Sequence, residues 1–215
     1  MGKEVRIIDL TAQLGKTTPI YPGDPAIRFR RRSKAEAITV TEITTGLHAG
    51  THVDAPFHFI TDGAKITDLP LSAFYGEAVC IDAPKKPGQD VDVLDVRGAE
   101  IHRGDIVLFR TGWEERSGTP RFFQDDWPGI TPEAVEELAR LGAKAIGGDT
   151  PSVDSPKAVR AGGPGHMKAL GSGMPIFESL AGLAAVAGRR FLFSAFPLKL
   201  MDCEASPVRA VAILP

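Results

Sequence analysis

A single α/β domain built on a mixed β-sheet is the fold class the sequence predicts, and three observations predict it. The 215 residues suit one domain with a sizeable core. Short apolar and β-branched runs recur between loops, and one segment carries a clear helical stripe. Glycine (23) and proline (17) are abundant, which fits many turns and long shaped loops and argues against a helical bundle. No repeat, linker or low-complexity tract divides residues 1–215.

The elements follow in chain order. Residues 5–10 form a short, mostly apolar run that reads as a strand. Residues 11–25 read as a loop, closing on Tyr21-Pro22-Gly23-Asp24-Pro25. Ile27-Arg28-Phe29-Arg30 alternates apolar and charged, the period-two pattern of a half-exposed strand. Residues 37–45 are rich in β-branched side chains and are expected to pair with it. Residues 62–71 are a mixed connection. Residues 78–81 and 105–110 are strands, and the continuous Ile-Val-Leu-Phe of the second predicts burial on both faces. Residues 112–130, with two Trp and several Pro and Gly, read as a long loop. Thr131 then caps a helix, Pro132 suits its first turn, and Val135, Leu138 and Leu141 make its apolar stripe. A strand at 143–146, a Gly/Pro/Ser loop at 147–165 and closing strands at 191–196 and 208–214 complete the reading.

Charge and composition exclude several classes. The formal net charge is −2, which supplies no global drive toward nucleic acid or an anionic membrane. Arg28, Arg30, Arg31, Arg32 and Lys34 are concentrated, but they read as a solvated strand face with only Phe29 interleaved for stacking. With 43% hydrophobic and 24% charged residues, the chain is not of disordered composition. No run of 18 apolar residues predicts a membrane span, and MGKEVRIIDL contains no apolar stretch of signal-peptide length. Cys80 and Cys203 stand far apart, so a reducing, cytoplasmic setting is expected.

Three of the five histidines fall within eleven residues, in His48-Ala-Gly-Thr-His52-Val-Asp54-Ala-Pro-Phe-His58. His48, His52 and Asp54 offer two imidazoles and a carboxylate, the three-ligand set of catalytic zinc sites, and the carboxylate could also bridge a second metal. Gly50 permits a backbone conformation that lets the histidines converge outside a helix. His58 lies close enough to serve the site without being a ligand. The competing reading is of unrelated surface or core histidines, against which the density of the cluster speaks. His102, alone before a strand, reads as a turn residue. His166 is a further candidate, flanked by glycines, and Glu178 is an acid inside an apolar stretch. A buried carboxylate needs a partner or a metal; taken alone, Glu178 also fits a solvated helix position.

The string His-x-Gly-Thr-His-x-Asp-x-Pro-x-His-Phe, from His48 to Phe59, resembles the signature of the metal-dependent cyclase family, which contains bacterial kynurenine formamidases and isatin hydrolases. The resemblance spans the chain: Ile8-Asp9-Leu10, Tyr21-Pro22-Gly23-Asp24, Gly148-Asp149-Thr150-Pro151-Ser152-Val153-Asp154, His166 with Glu178, and Ala205 to Ala210. It implies a swivelling β/β/α fold, usually paired as a homodimer. It implies one metal on His48, His52 and Asp54, and a second on Asp54, His166 and Glu178, with two Zn²⁺ expected per subunit and Mn²⁺ compatible. His58 matches the family's general acid/base. Tyr21 stands where kynurenine formamidases often carry a substrate-packing Trp, a departure that bears on the substrate. The implied reaction is hydrolysis of a small aryl amide, N-formyl-L-kynurenine to L-kynurenine and formate, in tryptophan degradation. Opening of a cyclic amide such as isatin at the same site is the alternative. A protein that merely held metal would not need His58, and Cys203 has no histidine near it in sequence to make it a nucleophile.

Overall fold

The computed structural model describes residues 5–35, 38–124 and 126–215, and at 33–35 the backbone alone. Among these the strands are β1 (Arg6–Asp9), β2 (Arg28–Ala35), β3 (Ile38–Thr44), β4 (His52–Asp54), β5 (Tyr75–Asp82), β6 (Ile106–Arg110), β7 (Ala145–Gly148), β8 (Ile176–Glu178), β9 (Arg190–Ser194), β10 (Ala205–Pro207) and β11 (Val211–Leu214). The helices are α1 (Val93–Arg97), α2 (Arg121–Gln124), α3 (Pro132–Leu141), α4 (Pro156–Arg160) and α5 (Pro164–Gly171).

Nine strands make one mixed sheet in the order β1-β11-β9-β5-β6-β7-β8-β4-β10. Strands β5 to β8 run parallel, and the flanking pairs are antiparallel. The unbroken apolar run of β6 lies in the middle because both faces are covered. Alternation sends Ile106 and Leu108 into one core and Val107 and Phe109 into the other. The first core joins Leu10 and Val53, from near opposite ends of the strand order, to Phe177 and Phe193, so the sheet curls around it. The second core seats Val135 and Leu138 of α3 and Ala169 and Leu170 of α5 on the other face. Each fully buried side chain of this size contributes roughly 1.5–3 kcal/mol by leaving water. At the start of α3 the Ala134 N–H donates to Thr131 Oγ1 at 3.3 Å, and Gly142 ends the helix at φ 83°, as Gly does where the chain turns left-handed.

Several expectations need correction. Residues 112–130 are not one long loop: a 3₁₀ turn at Trp113–Arg116 and α2 interrupt it, held by a cluster of Trp113, Phe122 and Trp127. The 147–165 segment contains α4 and the start of α5, both opened by proline in the first turn. Strand β7 runs to Gly148, later than 143–146. Glu178 is no solvated helix residue; it is buried on β8. The hairpin forms as expected, with β2 antiparallel to β3, but as a separate two-stranded sheet with Phe29, Ile38, Val40 and Ile43 all exposed. Period-two alternation presumes a core beneath the strand, and among the described residues none lies beneath. Ala37, where the second strand was expected to begin, and the side chain of Lys34 lie outside the described residues. Among the described residues no helix is long and apolar enough to cross a membrane.

Candidate metal centre

Strand β4 sets the geometry of the site. Alternation buries Val53 in the first core and turns His52 and Asp54 together to the opposite face. The antiparallel register with β8 places His52 directly across from Glu178. Gly50 adopts φ +68° just before the strand, and its carbonyl oxygen lies 2.9 Å from His52 Nδ1. Helix α5 brings His166 from the far side. Ser179, a non-glycine residue at φ +55°, turns the chain sharply after Glu178, and its carbonyl accepts from Thr51 Oγ1 at 2.6 Å.

The donor atoms converge. His48 Nδ1 is 2.9 Å and His52 Nε2 3.4 Å from Asp54 Oδ1, and His166 Nε2 is 3.7 Å from Asp54 Oδ2. His52 Nε2 lies 3.4 Å from Glu178 Oε2, and His166 Nε2 lies 3.2 Å from Glu178 Oε1. Yet both Asp54 oxygens and His52 Nε2 are buried without an aligned hydrogen bond. An orphaned buried carboxylate costs several kcal/mol unless something compensates it. Three such buried atoms from one imidazole and one carboxylate, with the further imidazoles and Glu178 within 3.7 Å of them, fit a divalent cation. Two trios bring a donor atom from each member within 4.8 Å of the others: His48, Asp54 and His58, and His52, Asp54 and Glu178.

Surrounding groups fix these ligand-type side chains. His166 Nδ1–H donates to Asp154 Oδ2 at 2.6 Å, which directs Nε2 into the cluster. Asp154 also accepts from the backbone N–H of Gly165 at 2.8 Å and of His166 at 2.9 Å. A Cβ on Gly165 would stand 2.8 Å from Asp154 Oδ1, so only glycine lets the helix start approach this closely. Glu204 Oε1 lies 3.4 Å from His48 Nε2. Val153 N–H donates to Glu178 Oε1 at 2.7 Å.

Electrostatics follow from burial opposed by pairing. Burial alone would lower the His52 pKa, but Asp54 and Glu178 outweigh it and raise it to about 10. Burial likewise opposes charge on Glu178, and His166 and His52 overcome it, holding the carboxyl at about 2. His166 is raised, despite burial, by Asp154, Asp54 and Glu178. In the metal-free protein the imidazoles therefore hold protons that a cation would displace, so metal affinity should weaken as pH falls. His58 differs: burial dominates and lowers its pKa, leaving a neutral imidazole. Its ring centre lies 4.2 Å from that of His48 and 5.6 Å from that of His166.

These groups open into a cavity of about 390 Å³. Its apolar wall includes Tyr21, Phe59, Phe123 and Val159. Phe59 stacks on His166 at 4.4 Å and 11°, and Tyr21 meets Phe123 edge-on at 5.8 Å and 88°. A larger hollow of about 500 Å³, lined by the loop from Ala12 to Pro19, meets the segments of the site at Gly50 and Ser179.

All seven residues singled out from the sequence, Tyr21, His48, His52, Asp54, His58, His166 and Glu178, meet here. His102 is exposed beside a turn, as expected. Burial pushes the Cys80 thiol up to about 12, so it supplies no thiolate at neutral pH. The roles of Asp154, Glu204, Phe59 and Phe123 were not foreseen. Asp154 and Phe59 each had a signal, as the second acid of the string from Gly148 and as the last residue of the string from His48; Glu204 and Phe123 had none.

The Cyclase family model matches residues 8–155. A kynurenine formamidase of Geobacillus thermodenitrificans is 34% identical over 209 residues, covering 94% of this chain and 95% of that protein. An isatin hydrolase solved with the product analogue thioisatinate superposes with a TM-score of 0.90 at 26% identity, covering 99% of this chain and 93% of the other. A structure described as a potential metal-dependent hydrolase with cyclase activity gives a TM-score of 0.82 at 26% identity, covering 98% of each chain.

Proposed function

This chain belongs to the Cyclase family, and from that premise we propose that it is a metal-dependent amide hydrolase, an arylformamidase that cleaves N-formyl-L-kynurenine to L-kynurenine and formate. The observation that carries the reading is the buried Asp54 carboxylate, without an aligned hydrogen bond on either oxygen amid three imidazoles and Glu178. His48, His52 and Asp54 would hold one metal, and Asp54, His166 and Glu178 a second, with zinc the first choice and manganese compatible with the same donors. When bound, such a metal acidifies water and polarises a carbonyl oxygen. His58, neutral and beside His48, accepts the proton of the attacking water and returns it to the departing arylamine nitrogen. Tyr21 and Phe123 pack on the aryl ring.

Isatin opening is the second reading, favoured by the close superposition on an isatin hydrolase. A panel of N-formylkynurenine, N-formylanthranilate and isatin, each assayed with Zn²⁺ and with Mn²⁺, decides between them. Chelation should abolish hydrolysis and lower the melting temperature, because the ligands come from distant segments. Full activity in protein shown by elemental analysis to be metal-free would refute the mechanism.

Two copies of the chain pair as a homodimer in this proposal, supported by the exposed apolar residues of the β2–β3 hairpin. Light scattering should give twice the chain mass, and a monomer mass would overturn the pairing. A cytoplasmic setting agrees with the two unpaired cysteines.

A further inference from the structure

The cavity carries one charged side chain, among the described residues, that the proposed chemistry does not use. Asp24 lines it, half-buried, and is the sole acid there apart from the metal-site Glu178. The Asp24 N–H donates to the Tyr21 carbonyl at 3.0 Å, so a turn fixes the residue. Its carboxylate makes no hydrogen bond or ion pair with any described residue. A groove of about 230 Å³ continues from the cavity, sharing Tyr21, Phe123 and Val159 with it. That groove contains Arg160, at the C-terminal end of α4, whose guanidinium is likewise unpaired among the described residues.

Donors for a metal, then aromatic walls, then the free Asp24 carboxylate of the cavity and the free Arg160 guanidinium of the groove describe a ligand with three parts. An amide fits the first, an aryl ring the second, and a zwitterionic amino-acid tail the third. We propose that Asp24 and Arg160 clamp the tail of the substrate, Asp24 binding the α-ammonium and Arg160 the α-carboxylate. The clamp rests on the formamidase reading and deepens it. A compact cyclic amide has no tail and would leave both charges idle, so the same two residues separate the two candidate substrate classes. Arginine suits the carboxylate end because its fork matches two oxygens.

The test compares N-formyl-L-kynurenine with 2-formamidoacetophenone, which keeps the ring and the formamide but lacks the tail. The wild-type protein should favour the tailed substrate in kcat/KM by more than about tenfold, the worth of one charged hydrogen bond. Asp24→Asn and Arg160→Gln should each cut that ratio about tenfold. Asp126→Asn, at an acid that lines the groove but not the cavity, should not lower it. Calorimetry with the product L-kynurenine should show the same two losses in affinity without any turnover. If the wild type hydrolyses both formamides and neither variant moves the ratio or the affinity, the clamp is wrong while the formamidase reading stands. If the wild type hydrolyses neither with metal bound, the formamidase reading fails and the clamp falls with it.

Discussion

Replacing Asp154 by Asn would keep the side-chain shape and remove one acceptor from a fully buried site. Asp154 is 0% exposed and accepts three hydrogen bonds, from the backbone N–H groups of Gly165 and His166 and from His166 Nδ1. The amide oxygen of Asn can take the place of Oδ2 and keep both bonds to His166. Its NH₂ then faces the Gly165 N–H, originally 2.8 Å from Oδ1, as donor against donor. The alternative flip is worse, since it sets the NH₂ against two His166 donors. A buried donor left without a partner costs about 1–3 kcal/mol. For a chain of this length that is a fall of about 2–12 °C in the melting temperature of metal-free protein. The loss should also loosen His166 and weaken metal binding about 10–100-fold, the usual effect of removing a group that orients a ligand histidine. Competition against a chromophoric chelator measures the affinity, and calorimetric melting in chelator measures the stability. A metal affinity within twofold of wild type, with the variant folded, would show that Asp154 does not orient a ligand.

Other perturbations test the remaining roles. His58→Ala should keep its metal while turnover falls by roughly 10² or more, whereas His52→Ala should lose metal; comparable metal loss in both would make His58 a ligand. Tyr21→Ala should raise KM for an aryl formamide several-fold with metal content unchanged, because the ring contacts the substrate away from the reacting carbonyl, and Tyr21→Trp should be tolerated. An unchanged KM in steady-state kinetics removes Tyr21 from the pocket. Asp105 accepts from Arg190 Nη1 and Nη2 at 2.8 Å each, and this pairing overrides burial to hold its carboxyl below the usual value. The resulting stability is full above the unfolded carboxylate pKa of about 3.9 and is lost as pH falls through the lower folded value. Asp105→Asn should therefore cost about 1.5–3 kcal/mol at pH 7 in urea melts of chelated protein. That deficit should shrink toward acid pH, and a deficit independent of pH would contradict the assignment.

What the sequence made legible at the site was what is local. His48, His52, Asp54 and His58 lie within one short stretch, and their density needs no fold to be noticed. Asp154 and Glu204 act through contacts between separate segments; Asp154 stands in the string from Gly148, whereas nothing local distinguishes Glu204 from a solvated acid. The same divide runs through the fold. Strand β6 was readable because its unbroken apolar run implies burial on both faces. The hairpin was readable as a pair of strands, but not as a separate sheet with exposed apolar side chains, because alternation specifies faces and not what covers them. Glu178 is the sharpest case. Beside Phe177 it could be read as helix or strand, and only the pairing of β8 with β4 decides which way its carboxylate points. A slip of that pairing by one residue would face Phe177 to His52 and turn the carboxylate toward the apolar core that holds Val53. Burying an unpaired carboxylate there is costly, so the hydrophobic pattern that sets the fold's register also sets the geometry of the metal ligands.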